Sequence, residues 1–167
     1  MTTPMGSLPS TMLIPGSVQI KRGTTSGSRN LTTANYNTAL LDTAGNPMAI
    51  TVTPSLDCFW HTRSNVMHQG AAGASGGAWQ RIDYVHQISP ADADGLVNGI
   101  QVCNQVFDSG TVGWKSVNAQ CMFRLTGGVA YTCTLVHVFQ SGATVQYHTG
   151  LNYIRLIGRL VGEGSAI

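Results

Sequence analysis

Hydrophobic and polar residues alternate along much of this chain, which is the pattern of β-strands with one buried face. In the clearest segment, Val129 to Phe139, aromatic, aliphatic, cysteine and histidine side chains occupy every second position. Similar patterns predict strands over residues 48–53, 58–61, 79–88, 100–107, 119–125, 143–148 and 152–161. No segment has the period of a helix longer than about two turns. The sequence therefore predicts an all-β protein.

Glycine-containing pairs separate the last strands. Gly127–Gly128, Ser141–Gly142 and Thr149–Gly150 each follow an alternating segment, and such pairs are typical of tight turns. The spacing predicts a meander of about three or four strands, in which consecutive strands are neighbours.

Several strands carry apolar side chains on both faces. Val136 and Val138 alternate with Leu135 and Phe139, and the segment 152–161 shows the same property. Two sheets that close over one core form a β-sandwich, and a second apolar face then needs its own cover. We predict an antiparallel β-sandwich over residues 41–167, with one sheet also packing against a neighbouring molecule.

Residues 1–40 differ from the rest of the chain. Prolines recur among glycine, serine, threonine and asparagine, and proline blocks helix and removes backbone donors. We predict an extended N-terminal arm that contacts a different chain; the alternative is that this segment packs on its own domain. The large apolar residues of the arm, which are the candidates for partner contact, are Met12, Leu13, Ile14, Val18 and Ile20.

The charge content is low. Only 10% of the residues are charged, against about 25% in an ordinary soluble domain. A monomer usually needs a charged surface for solubility, so this composition predicts a subunit covered by other molecules.

The basic residues are scattered along the sequence, and no apolar run of about twenty residues occurs. We therefore expect neither nucleic acid nor a membrane as the partner. The N-terminus lacks the basic start and apolar run of a signal peptide.

The cysteines and histidines favour structural roles over metal binding. Four cysteines, none in a CxxC pair, are expected to be free thiols. The five histidines form no HxH or HExxH pair, and His86 and His137 fall on apolar strand faces, where hydrogen-bonded core histidines are common. The segment Asp92–Gly95 resembles the start of a calcium loop but lacks the closing glutamate, so it predicts an Asx-type turn. No metal or cofactor is expected.

One motif raises the alternative of a serine hydrolase. Gly73–Gly77 matches G-x-S-x-G around Ser75, and Asp83 or Asp108 with His137 or His148 would give the chain order of a triad. The motif requires a preceding strand and a following helix, whereas here it lies in a glycine-rich loop. We therefore predict no enzymatic activity and no small-molecule substrate.

Three further residues are candidates for partner contact. Arg155 and Arg159 lie four positions apart in a predicted strand and share one face, which is either solvated or pairs with carbonyls or carboxylates of a partner. Trp114 follows a predicted loop that could reach a ligand.

The Thr/Ser/Gly/Asn-rich composition, the proline-punctuated arm and the sequence NYIRLIGRLVGEGS at residues 152–165 resemble tailed-bacteriophage virion proteins. The most similar groups are head decoration (cement) proteins and trimeric fibre tips, which are often jelly-roll or TNF-like β-sandwiches. The resemblance implies a homotrimer on the capsid surface that binds the major capsid protein. The alternative is the receptor-binding tip of a tail or head fibre, with the loops at 70–77 and 109–114 clustered at a distal end.

Overall fold

The structure, a computed structural model, describes residues 12–31, 38–70, 80–99, 105–107, 114–139 and 145–162. Within these ranges every helix or strand element is a strand, as the alternating pattern predicts. The strands are β1 (Met12–Leu13), β2 (Val18–Arg22), β3 (Ser28–Leu31), β4 (Thr38–Ala39), β5 (Ala49–Pro54), β6 (Cys58–Gly70), β7 (Gln80–Ser89), β8 (Gln105–Phe107), β9 (Lys115–Leu125), β10 (Tyr131–Phe139), β11 (Val145–His148) and β12 (Ile154–Gly162).

The strands form two six-stranded sheets. The first sheet has the order β1-β5-β10-β7-β8, and β4 also pairs with β10. In the second sheet β6 is central: β9 pairs with one edge of β6, while β12 and then β11 pair with the other. β2 pairs with β12 and β3 with β11. All of these strand pairs are antiparallel except β1–β5.

The core lies between the two sheets. Alternate residues of the long strands, such as β6 and β12, point inward and exclude water, which supplies most of the stabilisation of such a sandwich. Large, fully buried side chains from the second sheet meet those from the first; they include Trp60, Phe123, Leu125, Leu156 and Leu160 on one side and Val52, Tyr84, Ile88 and Leu135 on the other. The predicted antiparallel β-sandwich is confirmed.

The strand predicted at Cys58–His61 is much longer in the structure. β6 spans thirteen residues. Its inward positions stay buried beyond His61, although Thr62, Ser64 and His68 are polar. Thr62 and Ser64 point into the core and hydrogen-bond to His86 of β7. A polar residue on the buried face removes the alternation that sequence reasoning depends on.

The predicted meander of the last strands is wrong. β9 and β10 are joined by the turn at Gly127–Gly128 but lie in different sheets, and β12 and β11 pair one after the other with the same edge of β6 and not with each other. Gly128 adopts φ of 78°, which suits a tight turn. A turn residue fixes where the chain reverses, whereas the pairing partner depends on long-range packing.

The described part of the predicted arm belongs to the sandwich. β1, β2 and β3 pair with β5, β12 and β11 of the same chain, and Leu13 packs against the core. Residues 12–31 therefore pack on their own domain, which is the alternative given above. Residues 1–11 and 32–37 lie outside the described residues, and contact of the arm with a different chain stays a prediction.

Both faces of β10 are covered within the single chain at successive positions. Leu135, Val136 and His137 are all buried. The outward residue Val136 is thus buried by the chain itself, whereas packing of this sheet against a neighbouring molecule stays a prediction. In β12, by contrast, Ile157 on the outward side is only half-buried.

Candidate functional site

The second sheet gathers most of the positive charge of the chain. Its six strands contain no aspartate or glutamate. They hold eight of the nine lysine and arginine residues: Lys21, Arg22, Arg29, Arg63, Lys115, Arg124, Arg155 and Arg159. Basic residues that are scattered in the sequence are thus concentrated in space.

Five of these arginines are exposed and lie on the outer face of the sheet: Arg22, Arg63, Arg124, Arg155 and Arg159. Three rows of outward residues cross β2, β12 and β6 in register: Arg22–Arg155–Asn65, Ile20–Ile157–Arg63 and Val18–Arg159–His61. Neighbouring strands are about 4.8 Å apart, so residues of one row are in direct side-chain contact range. The register, rather than proximity in sequence, therefore assembles this surface.

A groove of about 400 Å³ runs along these rows. We call it the arginine groove; its lining residues are Val18, His61, Arg63, Ser64, Asn65, Asn118, Arg155, Ile157 and Arg159. Its volume is in the range of small-ligand pockets. Asn65 donates a hydrogen bond to Asn118 Oδ1 at 2.9 Å, which fixes one wall of the groove.

No carboxylate lines the groove among the described residues. Ion pairs form away from the groove: Lys21 Nζ is 3.1 Å from Asp42 Oδ2, and Arg124 Nη1 is 3.7 Å from Asp94 Oδ1. Like charges that share a face repel one another, and this repulsion is relieved when an anion binds. The groove is therefore suited to an oxyanion.

An exposed aliphatic stripe borders the groove on the edge strand β2 and the residues before it. Ile14, Val18 and Ile20 are 57%, 52% and 48% exposed. β2 pairs with β12 on one side, and no described strand pairs with its other side. Exposed apolar side chains beside an open strand edge are typical of a contact surface.

An aromatic cluster lies near the end of the same sheet where β6 meets β11. The ring of His148 is 5.3 Å from that of Trp114 and 4.0 Å from that of Tyr153, measured between centroids. Trp114 and Tyr153 keep 37% and 39% of their surface exposed. Aromatic rings that remain partly exposed are well suited to contact a ligand.

The structure thus brings together five of the eight predicted contact residues. Val18, Ile20, Arg155 and Arg159 share the outer face of the second sheet, and Trp114 lies toward one end of it. Of the other three, Met12 and Leu13 are separate from that face, whereas Ile14 belongs to the exposed aliphatic stripe that borders the groove. Met12 and Leu13 form β1 in the first sheet, and Ile14 follows them with an exposed side chain.

Sequence reasoning missed His61, Arg63 and Asn65 as part of this surface. All three occupy outward positions of β6 beyond or at the end of the predicted strand. Continuing the period of two from Phe59 through Met67 would have placed them on one face. The signal was weak because the intervening residues Thr62 and Ser64 are polar as well.

A buried polar chain crosses the sandwich behind this face. His86 Nδ1 lies 2.8 Å from Thr62 Oγ1, and His86 Nε2 lies 2.8 Å from Ser64 Oγ. Thr62 Oγ1 donates to the carbonyl of Cys121, so the hydroxyl accepts from the Nδ1–H of His86, and Nε2 accepts from Ser64. Burial, with a smaller effect of His61, lowers the pKa of His86 to about 4 and keeps the ring neutral.

The serine–histidine pair in this chain is a structural element. Ser64 and His86 are 5% and 1% exposed, and the second nitrogen of His86 faces a threonine hydroxyl instead of a carboxylate. A nucleophile must reach its substrate, and its base is normally oriented by a third group. Ser75 of the G-x-S-x-G match lies outside the described residues.

Other sequence predictions about chemistry are confirmed where the structure describes them. Cys58, Cys121 and Cys133 are free thiols, and Cys103 lies outside the described residues. Asp92 forms the predicted Asx-type turn, since its Oδ1 accepts from the backbone N–H groups of Asp94 and Leu96. His86 and His137 are buried core histidines.

The described ranges contain no cluster of three or more histidine, cysteine, aspartate or glutamate side chains that could hold a metal ion. Nor do these ranges include a helix that could cross a membrane.

Comparisons with known proteins give structural likenesses only. No protein-family model and no curated protein matches the chain. Among solved structures it is similar to Eiger TNF from S. frugiperda, with a TM-score of 0.54 and 12% sequence identity over 91% of this chain and 96% of that one. A CocE/NonD family hydrolase from Staphylococcus aureus gives a TM-score of 0.46 at 8% identity, over 85% of this chain and 34% of that one. The CBM22-1 xylan-binding domain of Paenibacillus barcinonensis Xyn10C gives 0.34 at 13% identity, covering 92% and 99%.

At this level of identity the likeness to Eiger TNF defines the fold alone. Together with the sheet topology, it makes the chain an antiparallel β-sandwich of the jelly-roll or TNF-like class.

Proposed function

We propose that the protein is a non-catalytic structural subunit of a virion, which decorates and stabilises a phage capsid as a homotrimer. The outer face of the second sheet docks on the major capsid protein, and residues 1–11 extend the contact. One observation carries this proposal: contact residues predicted separately in β2 and β12 meet on a single face, with Val18 beside Arg159 and Ile20 beside Ile157, which lies between Arg155 and Arg159. A virion origin rests on the resemblance of the sequence.

The composition of that face supports a protein partner. Exposed aliphatic side chains supply apolar area, and arginines are enriched in protein interfaces because they pair with carboxylates and carbonyls in fixed geometry. Docking of this kind needs area and complementarity, and it requires no reactive group.

Cosedimentation with capsids that lack the protein tests the proposal. The double substitution Val18→Asp/Ile20→Asp places charge on the aliphatic stripe and is expected to abolish binding. Thr51→Asp, on the exposed side of the first sheet, is the matched control and is expected to bind as the unmodified protein does. Equal binding by both variants contradicts the proposed surface.

Removal of residues 1–11 tests the arm without disturbing any described strand. We expect a folded protein that binds capsids more weakly. Undiminished binding by the truncated protein assigns the contact to the sandwich alone.

A second candidate function, the receptor-binding tip of a fibre, is favoured by the aromatic cluster. Trp114 and Tyr153 are partly exposed and both contact the ring of His148, an arrangement suited to pack against the apolar face of a sugar. Binding to a glycan array that is lost on Trp114→Ala and retained on Val18→Asp/Ile20→Asp would favour this candidate over capsid decoration.

A further inference from the structure

We infer that the arginine groove binds an acidic, extended polypeptide segment of a different protein. This inference rests on the proposed function, since it states the chemistry of the partner surface on which the outer face of the second sheet docks. It is carried by three observations on the described residues: the arrangement of the guanidinium groups, the burial of the chain's own carboxylates, and the aliphatic residues between the arginines.

The arginines surround a single aliphatic side chain. Arg155 and Arg159 lie on either side of Ile157 along β12, and Arg63 lies opposite Ile157 on β6. Along the strand, Arg155 and Arg159 are about 13 Å apart, and each is diagonal to Arg63 at about 7–8 Å. A partner segment in extended conformation matches this pattern when acidic residues recur every fourth position with an aliphatic residue midway.

A second copy of this chain offers few carboxylates for the groove. Of the five aspartates that the structure describes, three are buried: Asp42, Asp83 and Asp92. Asp94 is beside Arg124, and Asp57 accepts a hydrogen bond from the backbone of Gly127. Charge complementarity therefore points to a different molecule, which brings several exposed acidic groups.

The lining favours a polypeptide over an acidic saccharide or a nucleic acid. Val18 and Ile157 lie inside the groove and Ile20 beside it, and His61 is its one aromatic lining residue, whereas Trp114 and Tyr153, whose larger rings suit stacking on sugars or bases, belong to the separate aromatic cluster. Guanidinium groups bind carboxylates in a bidentate manner, which adds orientation to attraction.

Fluorescence anisotropy with a labelled synthetic peptide tests the inference on the full-length protein. The probe is Glu-Ser-Val-Ser-Glu-Ser-Val-Ser-Glu, and its control replaces every Glu by Gln. We expect the acidic peptide to bind, the control peptide to bind at least about tenfold more weakly, and affinity to fall as salt is raised. A short heparin oligosaccharide and a DNA duplex serve as competitor polyanions.

Variants locate the site. Arg155→Gln and Arg159→Gln are each expected to weaken peptide binding about five- to tenfold. Arg124→Gln removes the same charge from the same sheet outside the groove and is expected to leave binding nearly unchanged. Circular dichroism and size-exclusion chromatography check that each variant is folded.

Several results would overturn the inference. These are equal binding of the two peptides, equal effects of the groove variants and Arg124→Gln, tighter binding of heparin or DNA than of the acidic peptide, and absence of binding by every probe. The proposed function fails separately. Peptide binding in the groove without binding to capsids refutes capsid decoration alone, whereas capsid binding that is insensitive to Arg155→Gln and Arg159→Gln refutes the acidic segment alone.

Discussion

At the scale of single residues, Gly158 allows the two sheets to pack closely. It lies on the inward side of β12, and a Cβ atom at this position would meet Trp60 Nε1 and Ile50 Cδ1. Trp60 is fully buried, so it has little room to move. A glycine within a strand often marks such a close approach.

We predict that Gly158→Ala lowers the free energy of unfolding by about 1–3 kcal/mol, because the added methyl group overpacks the core. Urea unfolding measures the change. Arg159→Ala, at the next position and on the outer face, should change stability much less; equal losses in the two variants would contradict the packing argument.

His86 makes stability depend on pH. Its pKa is about 4 in the folded chain, against an ordinary value of 6.5. Between these values the unfolded state binds more protons than the folded state, so stability is fully present above pH 6.5 and falls as the pH drops toward 4. We expect a loss of about 3 kcal/mol over this window, measured by urea unfolding at several pH values.

The variant His86→Gln provides the control. It is expected to be less stable at pH 7 but to show a smaller decline between pH 6.5 and 4. The remaining slope includes His137, whose pKa is lowered by burial. A decline as steep as in the unmodified protein would assign the pH dependence to other groups.

Asp42 extends the acid sensitivity to lower pH. Burial raises the pKa of this carboxyl, but hydrogen bonds from Asn46 and the ion pair with Lys21 outweigh burial and hold the pKa at about 2. The stability that this group contributes is present above pH 3.8 and is lost as the pH falls through 2.

At the scale of elements, side chains join strands of different sheets. Tyr147 of β11, in the second sheet, accepts a hydrogen bond from the backbone N–H of Leu41 and donates one to its carbonyl, both at 2.9 Å. Leu41 follows β4, which belongs to the first sheet. One hydroxyl thus fixes the connection between the two sheets at this end of the sandwich.

Tyr147→Phe is expected to reduce stability by about 1–3 kcal/mol, since it leaves two backbone groups of a largely buried site unpaired. Thermal unfolding measures the loss. Tyr153→Phe, on an exposed ring, is the comparison and should have little effect; a neutral Tyr147→Phe would mean that water replaces the hydroxyl.

At the scale of the whole molecule, charge is divided unequally between the two sheets. The second sheet carries eight basic residues and no acidic residue in its strands, although the net charge of the chain is only +2. A face of this kind is suited to a complementary partner, and it also repels a second copy placed face to face. A trimer of this chain would therefore associate through other surfaces.

Light scattering coupled to size exclusion is expected to show a trimer whose mass does not change over a wide concentration range. Val18→Asp/Ile20→Asp should leave that mass unchanged if the outer face of the second sheet contacts a different protein. A monomer at all concentrations would contradict assembly by this chain.

The sequence by itself determined the strand content, the free thiols, the Asx-type turn and the core position of His86, because each depends on local patterns of a few residues. It also placed Arg155 and Arg159 on one face, since a period of two needs no knowledge of neighbouring strands. Only the tertiary structure decided that β10, β11 and β12 do not form a meander and that Arg63 joins the other arginines. Both depend on which strands pair and in what register, and that choice comes from burying two whole sheets against each other rather than from any single segment.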